Sequence, residues 1–180
     1  CSDATRGVSQ GGQSGGSTDV DVMEYFTFAT AGNAADFGNL TVARARSTSF
    51  ESNTRGICSN GRDFDGPSVL NTIDYITIQT TGNATDFGDS TESKDYVSGT
   101  SSNLRGLTAG GYAPGASNVI DYVTIASTGD ATDFGDLSRT RTVMAATSNN
   151  LRGYFGGGYV SGNLASADFV TIASTGNAAD

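Results

Sequence analysis

The chain contains no histidine and no tryptophan. Without imidazole, the usual proton carrier at neutral pH and the commonest nitrogen ligand for a metal are both missing. The two cysteines, Cys1 and Cys58, are too few for a disulfide framework, and neither has a partner base nearby in sequence to activate a thiolate. Two prolines exclude a collagen-like or polyproline chain. The apolar runs are only a few residues long, so no segment reads as a membrane-spanning helix, and no signal or transit peptide is visible. Basic residues are scarce, ten against nineteen acidic ones, for a formal net charge of −9. Phosphate backbones need a basic face, so neither a nucleic-acid partner nor membrane insertion is expected.

Glycine is abundant, at 25 of 180 residues, and Thr, Ser, Val, Tyr and Phe fill the periodic segments, as suits pleated sheets. The chain is also strongly self-similar. The stretch VIDYVTIASTGDATDFGDL (119–137) returns as TIDYITIQTTGNATDFGDS (72–90) and VMEYFTFATAGNAADFGNL (22–40), and SADFVTIASTGNAAD (166–180) opens a fourth copy. Asp-Phe-Gly holds Mg²⁺ in protein kinases, but there it occurs once, among partner motifs that are missing from this chain. Here it is part of a repeat.

Arg6, Arg55, Arg105 and Arg152 each precede glycine, at spacings of 49, 50 and 47 residues. Five residues after each comes a glycine-type pair (Gly11-Gly12, Asn60-Gly61, Gly110-Gly111, Gly157-Gly158). Next comes an acidic-aromatic pair: Glu24-Tyr25, Asp74-Tyr75, Asp121-Tyr122, Asp168-Phe169. From the aromatic to Leu40, Ser90 or Leu137 is always 15 residues, and from there to the next Arg is again 15. Only the interval from Arg to aromatic varies, at 19, 20, 17 and 17 residues. Scaffolds hold length while binding loops change it. Four strands are expected per unit, at positions such as 143–147, 153–159, 119–127 and 132–137, the third buried on both faces. Residues 1–180 thus read as a single all-β repeat domain of about four four-stranded blades with a 47–50 residue period. It begins and ends mid-unit, which predicts either a ring closed by the N-terminal strand or, the favoured expectation, part of a larger ring.

The order of diglycine, acidic-aromatic strand, Thr-Gly turn and final aromatic resembles a kelch blade, with Phe37, Phe87 and Phe134 in the slot where kelch repeats usually carry Trp. The repeats RGYFGGGY and DFVTIASTGNAAD, together with DYVTIASTGDATDFGDL, also resemble those of virion and tail-fibre structural proteins of marine bacteriophages. The resemblance implies a kelch-like β-propeller in a virion, with other virion subunits as partners, homo-oligomeric assembly and a host surface glycan as a further partner. Two alternatives stay open: a secreted or cell-surface bacterial carbohydrate-binding propeller, and a spacer or decoration protein without a ligand.

The recurring charges read as scaffold: Arg6, Arg55, Arg105 and Arg152 are expected to fix register by pairing with Asp36, Asp86 and Asp133 or by hydrogen bonding to turn carbonyls. Arg44, Lys94 and Arg141 recur as well. Asp130, Asp133 and Asp136 form an oxygen-rich group whose spacing matches no EF-hand and suits turn capping, so no metal and no cofactor is expected. Every strong carboxylate recurs, which leaves no singular acid–base pair, so the protein is read as non-enzymatic. The candidate binding residues lie in and beside the variable loops: Asp63, Phe64, Asp65, Tyr112 and Tyr159, apolar rings beside polar flanks. Asp19, Asp21, Asp63 and Asp65 are expected to give that face a negative potential.

Overall fold

The computed structural model describes residues 1–16, 18–66 and 69–180. Each sequence repeat forms one antiparallel sheet. The first sheet holds β1 (Arg6–Ser14), β2 (Thr18–Thr27) and β3 (Ala35–Asn39). The second holds β4 (Thr48–Glu51), β5 (Arg55–Gly61), β6 (Leu70–Thr77) and β7 (Thr85–Asp89). The third holds β8 (Ser98–Ser101), β9 (Arg105–Ala109), β10 (Val119–Thr124) and β11 (Thr132–Asp136). The fourth holds β12 (Ala145–Ser148), β13 (Arg152–Gly156) and β14 (Ala167–Thr171). Strands pair in chain order within every sheet, a propeller-like arrangement. Two sheets have four strands and two have three, where four in each were expected. The missing positions are filled only by single bridges, Ser2 to Gly7 and Phe169 to Ala179.

The apolar core lies between sheets. Val8, Met23, Phe37 and Leu40 of the first repeat pack with Cys58, Ile76 and Ile78 of the second. Phe50, Ile57, Ile73 and Phe87 meet Val123 and Ile125 in the same way. Leu107, Ile120, Phe134 and Leu137 meet Phe155, Val170 and Ile172. The third strand of a unit is therefore buried on both faces only where a preceding sheet covers it. Phe26 and Phe28 occupy the positions of Ile76 and Ile78, and with no sheet against them among the described residues they are 47% and 52% exposed. Inside each joint the acidic-pair tyrosine sets its ring edge-on to the final phenylalanine, at 6.1 Å for Tyr25–Phe37, 5.9 Å for Tyr75–Phe87 and 6.0 Å for Tyr122–Phe134.

The Asp-Phe-Gly and Thr-Gly motifs recur together because they form a latch across each joint. The Gly82 N–H donates to Phe37 O (2.7 Å), Ala84 N–H to Asn39 O (2.8 Å), and Asn39 N–H to Asn83 Oδ1 (3.0 Å). Gly129, Ala131 and Asp130 repeat this on Phe87 and Asp89, and Gly176, Ala178 and Asn177 on Phe134 and Asp136. The phenylalanine is buried and the glycine admits the neighbouring turn. A Cβ on Gly38, Gly88 or Gly135 would meet backbone of that turn at 2.4 to 2.6 Å.

Candidate functional site

The first arginine series does not pair with aspartate. The guanidinium carbons of Arg6, Arg55, Arg105 and Arg152 lie 4.2, 4.6, 4.6 and 4.9 Å from the ring centroids of Tyr25, Tyr75, Tyr122 and Phe169. Three of them also donate across the joint to backbone carbonyls: Arg6 to Ile78 at 3.2 Å, Arg55 to Ile125 at 2.9 Å and Arg105 to Ile172 at 3.2 Å. Asp36, Asp86 and Asp133 are exposed and form no ion pair among the described residues, which corrects the expected pairing. Their aspartate side chains follow the outward phase of a short edge strand, so they face water instead of the joint. Asp130 stands where Asn83 and Asn177 stand and, like them, accepts a backbone N–H with its Oδ1. It is a turn cap of the latch.

The buried ion pairs belong to the second series. Arg44 Nη2 donates to Asp74 Oδ2 at 2.8 Å and Arg141 Nη2 to Asp168 Oδ1 at 2.8 Å, all four side chains fully buried. Each guanidinium also satisfies carbonyls, Thr72 O at 2.8 Å for Arg44, and Ser166 O and Gly157 O for Arg141. The middle joint has lysine. Lys94 Nζ reaches only to 3.7 Å from Asp121 Oδ2, which accepts no hydrogen bond. Burial pushes the Asp121 carboxyl above its ordinary 3.8, against the opposing pull of Lys94 and Thr91. The folded protein therefore keeps a proton on Asp121 where the unfolded chain has lost it. Stability from this joint declines as pH rises from the ordinary aspartate value through the raised one, and is flat above it. Lys94→Arg restores the geometry of the other joints; the expected outcome is a gain of about 1 kcal/mol near neutral pH and a flatter profile, read from urea unfolding at several pH values.

The two ends of the sheets differ. At one end the turns Ser2–Ala4, Glu51–Asn53, Ser101–Asn103 and Ser148–Asn150 surround a depression of about 440 Å³. Its capping groups are engaged locally: Asp3 Oδ1, Ser52 Oγ, Ser102 Oγ and Asn149 Oδ1 each accept the N–H of the following arginine. Hydrogen bonds from Gln79 and from the Thr5 backbone hold the Asp3 carboxyl down at about 2. This end repeats one role four times, the capping of the arginine N–H, while the capping residue changes from Asp to Ser to Asn.

The other end carries the variable loops and the departures from the repeat. Ser17, Pro67 and Ser68 of the first two loops lie outside the described residues. Tyr112 and Tyr159 are exposed, and their backbones bridge to Asp95 and Thr142. Phe64 is also exposed, while Asp63 and Asp65 form a turn of their own in which Asp65 N–H donates to Asp63 Oδ1 at 2.9 Å. Equivalent positions then diverge: 45, 95 and 142 hold Ala, Asp and Thr; 46, 96 and 143 hold Arg, Tyr and Val; 62, 112 and 159 hold Arg, Tyr and Tyr. Between the second and third repeats these departures meet. Arg46 lies 4.7 Å from the Phe64 centroid and 4.5 Å from that of Tyr96, and Arg62 lies 4.5 Å from Phe64. Below them, fully buried Asp95 accepts from Arg46 Nη1 at 3.4 Å and has Arg62 Nη1 at 3.9 Å. Arg46, Tyr96 and Val143 share a left-handed backbone, with φ of 57°, 54° and 53°, and are tied in sequence by Tyr96 N–H to Arg46 O and Val143 N–H to Tyr96 O, both 3.1 Å.

Of the four aspartates expected to charge this face, Asp19 is buried and accepts the Phe64 N–H at 2.6 Å, Asp21 and Asp63 are half-buried and Asp65 is exposed, and two partly exposed arginines stand beside them. The loops had marked Phe64, Tyr112 and Tyr159. Arg46, Asp95 and Tyr96 lie in the segment of constant length, and their signal is a break in residue type at a position where length does not change.

No family model matches the chain, and no curated protein matches it by sequence. Among solved structures, one titled "Structure of YjhT" is similar over 85% of this chain with a TM-score of 0.69 and 13% identity. The chain spans about half of that one, 49% of its length. At this identity the likeness shows a shared fold.

Proposed function

We propose that the chain is a non-enzymatic, kelch-like β-propeller scaffold of a bacteriophage virion appendage, whose loop end attaches to a neutral host glycan or to a partner subunit. The wording of the repeats supports the virion setting. Four consecutive antiparallel sheets with cores between them support blades arranged about a common axis. The observation that carries the binding role is the gathering at the loop end of residues that depart from the repeat, Arg46, Arg62, Phe64, Asp95 and Tyr96, whereas at the turn end the caps Asp3, Ser52, Ser102 and Asn149 change in type but all serve one folding role. A scaffold repeats what folding needs, and a site in one place needs residues that occur once.

The test replaces loop residues 63–69 with the shorter 113–116 sequence and measures adsorption to host cells and incorporation into particles. Unfolding should shift by less than about 5 °C, because Arg62 and the strand residues Leu70 and Asn71 are kept, while adsorption or incorporation falls at least tenfold. A loop-exchanged protein that folds, adsorbs and assembles like the parent removes the adhesive role and leaves a spacer.

A further inference from the structure

Two buried groups at the loop end have complementary unmet needs. Asp95 Oδ1 is an acceptor with no donor, and Arg62 Nε–H is a donor with no acceptor. Their side chains already approach each other through Asp95 Oδ2 and Arg62 Nη1 at 3.9 Å, and the firmer contact, from Arg46, is still 3.4 Å. Such long contacts around a fully buried carboxylate leave the cluster incompletely satisfied, and buried polar groups are otherwise paired. A hydroxyl donates and accepts at once, so a single hydroxyl placed between them meets both needs. The remaining N–H groups of Arg46, whose side chain is 31% exposed, are available to a second hydroxyl on the adjacent carbon. Phe64 and Tyr96 supply apolar faces beside these donors, and Phe64, on an exposed loop, lies against both guanidinium groups. Charge favours a neutral ligand: Asp95 already offsets one guanidinium, and Asp19 lies against the Phe64 backbone.

We propose that Arg46, Arg62 and Asp95, with the rings of Phe64 and Tyr96, form a subsite for a neutral pyranose held through two neighbouring hydroxyls. This rests on reading the loop end as the attachment face and names its ligand class. The experiment is saturation-transfer NMR on the full chain with the methyl glycosides of glucose, galactose, mannose and glucuronic acid. At least one neutral glycoside should receive saturation, strongest on the C–H groups of one ring face, with affinity reduced at least tenfold in Phe64→Ala and in Arg62→Gln and unchanged in Asp86→Asn. Phe64→Ala alters an exposed ring, so circular dichroism should show it folded and its result decides the matter even where Arg62→Gln does not fold. Three outcomes overturn the subsite: no transfer to any neutral glycoside, transfer that survives Phe64→Ala, or preference for the glucuronide that disappears in high salt. Loss of adsorption in the loop-exchanged protein without glycoside binding would refute the subsite and keep the attachment face. Unchanged adsorption would refute the attachment face.

Discussion

Asp168→Ala is expected to lower stability by about 3–5 kcal/mol, because it leaves the Arg141 charge buried without its counter-charge. Arg141 is fully buried between the third and fourth sheets, and among the described residues its other acceptors besides Asp168 are Ser138 Oγ and the carbonyls of Gly157 and Ser166. Asp168 also accepts the Ser138 backbone N–H at 2.7 Å and its hydroxyl at 2.8 Å, so the substitution strips the link between sheets of three donors' acceptor at once. Asp86→Ala is the control, since Asp86 recurs just as regularly but is exposed; its effect should stay within about 0.5 kcal/mol. Replacing both partners, Arg141→Met with Asp168→Leu, should recover part of the loss, because an apolar pair has no charge to desolvate while the Ser138 N–H and hydroxyl still lack their acceptor. Urea unfolding of the four proteins checks the set. Equal losses for Asp168→Ala and Asp86→Ala would show that recurrence, not burial of the pair, governs stability.

Gly88→Ala is expected to cost about 2–4 kcal/mol, from an unfavourable backbone angle and a steric clash acting together. Its φ is +142°, and an added Cβ would lie 2.6 Å from the Gly129 carbonyl and 2.8 Å from the Asp130 nitrogen. All of these are backbone atoms of the next sheet, which cannot give way without opening the latch formed by Gly129 N–H and Phe87 O. Gly129 is the matched comparison. Its φ is +151°, but nothing lies within 4 Å of its Cβ position, so Gly129→Ala bears only the backbone term, about 1 kcal/mol. The difference between the two thermal unfolding curves measures the close approach of the sheets. Equal shifts would mean that the latch is looser than 2.6 Å implies.

The period and the four sheets were legible because the strands and turns are encoded within each unit, by β-branched residues, the diglycine bend and the Thr-Gly turn. The partners across the joints were not. Two basic series and two acidic series recur with the same period, so spacing alone allows Arg55 to face Asp86 as readily as Lys94 to face Asp121. Burial decides it: the aspartate beside the tyrosine lies in the joint, and the one before the phenylalanine faces solvent. At the candidate site, loop-length variation pointed to Phe64, Tyr112 and Tyr159. Asp95 and Arg46 became visible only in space, because the strand connections bring residues 46, 62 and 95 together from three segments, the most distant 49 positions apart.

Every joint joins the trailing half of one unit, counted from its Arg-Gly pair, to the leading half of the next: Phe37, Leu40 and Arg44 on one side, Asp74, Ile76 and Ile78 on the other. One period of sequence therefore encodes both halves of the contact. In-frame duplication or loss of a whole period keeps the recurring contacts of the scaffold paired, the buried basic residue opposite the joint aspartate among them. A gene built this way can lengthen or shorten through recombination between its own copies without passing through an unfolded product, and a singular cluster such as that of Arg46, Arg62 and Asp95 can diverge in one copy while its neighbours preserve the frame.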